Sequence, residues 1–122
     1  MAIVRYLVKD VDASLPFYLA LGFKEMERWG PPFVMLALGD LTLWLSDPGS
    51  SASKPLADGS VPAPGGWNRL VIEVEDIEAS VQGLSPTNAR LRSDPIRGPG
   101  GWQVLVEDPS GNPIELFQPR GP

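Results

Sequence analysis

Alternating apolar and polar residues at the start of the chain predict a β-strand over residues 3–8 (IVRYLV), followed by an α-helix over residues 12–21. Apolar residues recur along this segment at helical spacing: Leu15, Tyr18 and Leu19. Asp10 or Asp12 can accept hydrogen bonds from the free N–H groups of the first turn, and Gly22 can end the helix. The start of the chain is therefore predicted to form a strand–helix unit.

Three further apolar segments predict three more strands before the middle of the chain. They span residues 23–29, 33–38 and 41–46. Gly39 and Asp40 separate the last two strands and suit a tight hairpin turn. Residues 47–66 (DPGSSASKPLADGSVPAPGG) are rich in Pro, Gly, Ser and Ala, a composition typical of a linker.

The second half of the chain repeats the first. The segment VKDVDASL at residues 8–15 returns as VEDIEASV at residues 74–81. The second set of predicted elements is a strand at 67–74, a helix at 76–84 capped by Asp76, a weak strand at 89–93, a strand at 102–108, a turn at 109–112 and a strand at 113–118. The order strand, helix, strand, strand, strand thus occurs twice, which indicates an internal repeat. The predicted fold class is α+β, one domain built from a βαβββ module over 1–46, the linker over 47–66 and a βαβββ module over 67–122.

Composition narrows the chemistry open to this chain. With 122 residues, no cysteine and no histidine, it has no disulfide, no thiolate metal site, no cysteine nucleophile and no imidazole base or ligand. The net charge is −5 and the ten Lys and Arg residues are scattered, which argues against a nucleic-acid partner. The negative charge favours a cationic ligand, although it also suits plain solubility.

No membrane partner is expected, because no apolar run approaches the length of about 20 residues that spans a bilayer. The N-terminal sequence MAIVRYLVKD lacks the build of a signal peptide. A cytoplasmic location is therefore predicted.

Two segments together carry a family resemblance: VKDVDASLPFYLALGF near the start and VEDPSGNPIELFQP near the end. They resemble the vicinal oxygen chelate superfamily, which includes glyoxalase I, extradiol dioxygenases, and fosfomycin- and bleomycin-resistance proteins. The resemblance covers nearly the whole chain. It implies two curled sheets that form a cup, often completed by a second subunit, so that a homodimer is expected.

Enzymes of this superfamily place four metal ligands on strands that face into the cup. Alignment on the Asp that follows the first strand of each half carries two of these positions to Ile3 and Arg69, with Asn68 as the one-residue slip. The positions on the last strand of each half fall at Trp44 and Glu115. Ile and Trp do not coordinate a hard divalent ion and Arg repels one, so no metal or other cofactor is expected.

The residues at these positions suit a ligand better than a metal ion. An aromatic residue at Trp44 resembles the antibiotic-binding branch of the superfamily, in which flat drugs are sequestered without being transformed. The four tryptophans all lie in or beside predicted strands and could either bind a ligand or fill the core: Trp29, Trp44, Trp67 and Trp102. Arg69 and Glu115 are expected to form a buried ion pair, although Glu115 could also receive a ligand's amine or hydroxyl. Residues 94–103 (DPIRGPGGWQ) form either a flap over the ligand or a plain connection between strands.

Three functions remain open from the sequence. The first is a metal-free, dimeric binder of an aromatic or basic small molecule such as an antibiotic, with ligand contacts from Ile3, Arg69, Glu115 and the tryptophans. The second is a metal-independent isomerase, cyclase or lyase that uses Glu115, Arg69 or a tyrosine in the same cup. The third is a regulatory module whose cup is filled by its own side chains.

Overall fold

The structure, a computed structural model, describes residues 1–121 and divides into two compact units, Met1–Pro64 and the residues from Gly65 onward. The first unit contains β1 (Val4–Leu7), α1 (Val11–Ala20), β2 (Lys24–Arg28), β3 (Phe33–Leu38) and β4 (Leu41–Ser46). The second contains β5 (Leu70–Glu73), α2 (Ile77–Leu84), β6 (Arg90–Leu91), β7 (Ile96–Gly98), β8 (Gly101–Glu107) and β9 (Pro113–Pro119). No helix among the described residues is long and apolar enough to cross a membrane.

The sheet of the first unit has the strand order β1-β4-β3-β2, with β1 parallel to β4 and the other pairs antiparallel. One face of its central strands is the fully buried core: Val34, Leu36, Leu43 and Leu45. Because side chains alternate along a strand, Trp44 lies on the opposite face. The strand register sets Trp44 beside Arg5 on β1 and beside Met35 on β3.

The sheet of the second unit repeats this arrangement, with the order β5-β9-β8-β6 and β5 parallel to β9. Glu115 on β9 lies beside Val71 on β5 and beside Leu105 on β8, as Trp44 lies beside Arg5 and Met35 in the first sheet. The two halves therefore match in register as well as in element order. The predicted α+β class and the pair of βαβββ modules are confirmed.

The two helices start in the same way. The Asp10 carboxylate accepts a hydrogen bond from the N–H of Ala13 at 3.1 Å, and the Asp76 carboxylate accepts one from Ala79 at 3.1 Å. Each aspartate thus satisfies one of the free donors of its first turn. The repeated Asp in the duplicated segment is explained by this capping role.

The turn between β8 and β9 is organised by Asp108, which is 2% exposed. Its Oδ1 accepts hydrogen bonds from the backbone N–H groups of Ser110 at 2.8 Å and Asn112 at 2.9 Å, and its Oδ2 accepts one from the Asn112 side chain at 3.0 Å. The Asn112 amide oxygen in turn accepts a bond from the N–H of Gly65 at 2.8 Å. The Asp-Pro-Ser-Gly-Asn motif therefore forms a turn of the second unit that is held by hydrogen bonds to the buried Asp108.

The segment at residues 94–103 differs from the prediction of a loop. Residues 96–98 form strand β7, which pairs antiparallel with β8 and turns between Gly98 and Gly101. Pro95 and Pro99 suggested a broken segment, but they flank the strand and remove no hydrogen bond within it. The second sheet consequently has five strands.

The predicted strand at 67–74 is also shorter in the structure, since β5 begins at Leu70. Gly65 and Gly66 have positive φ angles of 112° and 93°, so the chain turns there and enters the sheet later than its apolar pattern suggests.

The predicted linker at 47–66 is partly structured. The N–H of Asp47 donates to the carbonyl of Pro32 at 2.9 Å, the Ser50 hydroxyl donates to the carbonyl of Asp47 at 2.8 Å, and a short 3₁₀ helix spans Ser51–Ser53. Further along, hydrogen bonds from the hydroxyl and the backbone N–H of Ser60 lower the pKa of the exposed Asp58 carboxyl. The start of the segment is therefore hydrogen-bonded to the connection between β2 and β3, and residues 47–64 belong to the first unit.

Candidate functional site

A pocket of about 400 Å³ lies in the first unit. Its walls come from the sheet face opposite the core and from the segment that follows β4. The sheet side is lined by Arg5, Phe33, Met35, Trp44 and Ser46, and the remaining wall by Trp29, Pro32 and residues 49–52. The volume is at the low end of the range of about 300–1,000 Å³ typical of small-molecule sites.

Strand register explains why these side chains meet. Trp44 and Ser46 are two residues apart on β4 and share one face. Phe33 pairs with Ser46 and Met35 with Trp44, while Arg5 on β1 pairs with Trp44 from the other side. One face of three neighbouring strands thus supplies rings, a thioether, a hydroxyl and a guanidinium.

The rings of the pocket contact one another edge to face. The Trp44 and Phe33 ring centroids are 5.2 Å apart at 82°, and those of Trp29 and Phe33 are 6.4 Å apart at 87°. The Arg5 guanidinium carbon lies 5.1 Å from the Trp44 ring centroid, within the range of cation–π attraction. Trp44 is half-buried under these neighbours, whereas Trp29 is 63% exposed and offers the open ring surface.

Two polar atoms of this wall have no hydrogen-bond partner. Among the described residues, the buried side-chain N and O atoms without a partner are Trp44 Nε1 and Ser46 Oγ, and both residues line the pocket. An unpaired buried donor or hydroxyl costs about 1–3 kcal/mol. Both atoms lie on the same face of β4, so this wall of the pocket contains two buried polar groups among its apolar side chains.

The expected ion pair of the second unit is present. Arg69 Nη2 and Nε donate to Glu115 Oε1 at 2.9 and 3.1 Å, and Arg69 Nη1 donates to the carbonyl of Trp67 at 3.4 Å. Glu115 is 8% exposed, so its carboxylate is held mainly by this guanidinium. The carboxylate at one family metal position is therefore bound to the cation at another.

The donor set does not fit a divalent metal ion. In the first unit the family positions hold Ile3, which precedes β1 and is 39% exposed, and Trp44, and neither side chain offers a ligand atom. In the second they hold the Arg69–Glu115 pair. Across residues 1–121, no group of three or more Asp, Glu, His or Cys side chains could hold a metal ion.

The other predicted ligand residues, Trp67 and Trp102, belong to the second unit. Trp67 is 70% exposed, and the Arg92 guanidinium carbon is 4.7 Å from its ring centroid. Trp102 on β8 is 42% exposed and lines a separate concavity of about 330 Å³ together with Arg97 and Arg120. The structure thus groups Trp29 with Trp44 in the first unit and Arg69 with Glu115 in the second. The rings of Trp67 and Trp102 lie beside Arg92 and Arg97 of the second unit.

Sequence reasoning missed several residues of the pocket. Arg5, Phe33, Met35 and Ser46 received no functional role, and residues 49–52 were assigned to the linker. A signal for Arg5 was available, because it lies two residues after Ile3 and therefore on the same face of the strand. The fold of residues 49–52 against Pro32 left no such trace in the composition.

Several solved structures have the same fold as this chain. A glyoxalase/bleomycin resistance protein/dioxygenase family enzyme from Burkholderia phytofirmans PsJN has a TM-score of 0.80 at 22% identity, with 97% of each chain covered. A glyoxalase-related enzyme from Fulvimarina pelagi has a TM-score of 0.78 at 19% identity, covering 97% of this chain and 86% of that one. A lactoylglutathione lyase from Agrobacterium tumefaciens has a TM-score of 0.67 at 22% identity, covering 96% and 92%.

The TM-scores establish a common fold, and the low sequence identities leave the activity open. No curated protein matches the sequence. The family model described as the glyoxalase/bleomycin resistance protein/dioxygenase superfamily matches residues 1–116, which is nearly the whole chain. The chain therefore belongs to the glyoxalase/bleomycin resistance protein/dioxygenase superfamily, the vicinal oxygen chelate group that its sequence resembles.

Proposed function

We propose that this protein binds a flat small molecule in the pocket of its first unit, without a metal ion, and sequesters that molecule as the antibiotic-binding members of the superfamily do. The observation that carries the proposal is the fate of the family metal positions: an isoleucine, a tryptophan and an arginine that neutralises the remaining glutamate. A homodimer and a cytoplasmic location are parts of the proposal that come from the sequence alone.

The aromatic walls support a ring-shaped ligand. An aromatic side chain buries about 150–250 Å² and contributes about 0.5–1.5 kcal/mol beyond its area when it packs against another ring. Trp29 is exposed and stands beside Phe33, so a flat ligand can cover it without displacing core residues. The third function, a regulatory module whose cup is filled by its own side chains, has less support because the pocket of the first unit is open.

The enzymatic alternative has weaker support. A general base needs a lone pair free to take a proton. Glu115 is 8% exposed and its Oε1 accepts two N–H groups of Arg69, so little of the carboxylate is open to a substrate proton.

Binding is tested by tryptophan fluorescence with EDTA-treated protein and a set of flat natural products. We expect saturable quenching by at least one compound, and Trp29→Ala should weaken that compound's affinity about tenfold, as expected for the loss of a stacking surface in a small-ligand site. Trp102→Ala is the matched control, since it removes an exposed tryptophan of the other unit.

Two outcomes would oppose this function. If Trp102→Ala weakens binding and Trp29→Ala does not, the ligand occupies another site. If the bound compound is converted to a product and Glu115→Gln abolishes that conversion while binding persists, the protein is an enzyme.

A further inference from the structure

The lining of the first-unit pocket carries information about the charge of its ligand. Arg5 is the one charged residue among those that line it, and no carboxylate does. The nearest acid along the chain, Asp47, uses Oδ1 to accept the N–H of Gly49 at 2.9 Å and is not part of the lining. Glu27 on β2 pairs with the lining residue Met35, so Glu27 and Asp47 are acids that lie beside the pocket without lining it. The lining itself therefore carries one positive charge, although the net charge of the chain is −5.

The unpartnered polar atoms point to the same kind of ligand group. Ser46 is 1% exposed and its Oγ has no hydrogen-bond partner, and Trp44 Nε1 is likewise buried without one. An indole N–H is a donor only, a guanidinium is a donor only, and a hydroxyl can donate. Three donors on one wall match an acceptor, and an anionic acceptor gains most from them.

From this we propose that the ligand of the pocket is an aromatic acid, whose carboxylate pairs with Arg5 and reaches Ser46 and Trp44 while its ring covers Trp29 and Phe33. The inference rests on the proposed function and narrows its ligand from aromatic or basic compounds to acidic ones. The side chain of Arg5 is long and exposed, and it lies over the Trp44 ring. On binding, the Arg5 side chain shifts toward the carboxylate of the ligand and thereby uncovers the two buried donors, Trp44 Nε1 and Ser46 Oγ.

The negative charges elsewhere on the chain do not oppose this reading. Charges separated by more than about 8–10 Å are largely screened at physiological ionic strength. A carboxylate in direct contact with a guanidinium forms charge-assisted hydrogen bonds that depend on short-range geometry. The local lining therefore outweighs the net charge in selecting the ligand.

Three naphthalene probes of the same shape test the proposal: naphthoate, the neutral naphthamide and the cationic naphthylmethylammonium. Binding is followed by ¹H–¹⁵N correlation spectra, in which the Trp44 indole signal is assigned with Trp44→Phe. We expect naphthoate to bind about tenfold more tightly than the cation and to move the Trp44 indole proton downfield, as a new hydrogen bond does.

Variants separate the guanidinium from the rest of the pocket. Arg5→Met should weaken naphthoate about tenfold and leave naphthamide within about twofold, and Arg5→Lys should give an intermediate loss because it keeps the charge without the planar fork. Ser46→Ala should also weaken the binding of naphthoate. Arg97→Met removes a guanidinium beside Trp102 in the second unit and should change nothing.

The outcomes distinguish this inference from the function on which it rests. If the cation binds as tightly as naphthoate, or if Arg5→Met leaves the affinity for naphthoate unchanged in a folded protein, the acidic ligand is excluded while the binding function stands. If none of the three probes binds and no flat compound quenches the tryptophans, both proposals fail.

Discussion

Replacing Gly101 by alanine is expected to lower the free energy of unfolding by about 3 kcal/mol or more, the largest effect expected for an added methyl group at any described glycine. A Cβ at this position would overlap the carbonyl oxygen of Gln118 and lie 2.9 Å from the N of Arg120, and Gly101 has a φ of +147°. Backbone atoms of β9 cannot move aside as a flexible side chain would. The β8–β9 pairing should therefore open at this end.

Urea denaturation of Gly101→Ala measures this loss. Gly111→Ala is the matched control, because Gly111 has a φ of +87° but a Cβ there would meet nothing within 4 Å. We expect the control to lose only about 1 kcal/mol, the cost of the backbone angle alone. Equal losses for the two variants would show that the close approach to Gln118 does not exist in solution.

Glu115→Leu is expected to destabilise the protein by about 2–3 kcal/mol. The change removes the carboxylate that pairs with Arg69 and leaves the guanidinium unpaired in a partly buried place. Arg69 is 28% exposed at its side chain and Glu115 11%, so water offsets part of the loss on the arginine side. The double variant Arg69→Met with Glu115→Leu should recover most of the stability, because the unpaired charge is gone.

A double-mutant cycle by urea denaturation measures the coupling of the pair. The exposed pair of Arg28 and Asp12, 2.6 Å apart with Asp12 73% exposed, is the control and should couple by less than about 1 kcal/mol. Additive losses at Arg69 and Glu115 would contradict the ion pair on which the metal-free reading of the second unit depends.

The sequence predicted the fold in most of its parts because the apolar pattern and the two capping aspartates repeat. Strands β3 and β4 have the predicted bounds, and both helices begin within a residue of theirs. Strand β5 begins later than predicted, and β7 was missed because prolines flank a strand of only three residues. Short strands have too few alternating positions to be distinguished from loops.

The candidate site was only partly accessible from the sequence. The family resemblance, with the alignment of the two halves, identified Trp44, Arg69 and Glu115 as positions of interest, and the ion pair between the last two was expected from their charges. The role of Arg5 depends on the parallel register of β1 with β4, which joins residues 39 positions apart. The spacing from Ile3 places Arg5 on the same face of β1, but its contact with Trp44 is a tertiary contact that the local pattern does not encode.

The metal dependence of ligand affinity tests the central claim most directly. Isothermal titration of a quenching compound into EDTA-treated protein, and into protein supplied with Zn²⁺, Ni²⁺ or Mn²⁺, should give the same dissociation constant within about twofold, because rings and a guanidinium hold the ligand. Affinity that appears only with an added ion, and disappears again in Glu115→Gln, would contradict the account.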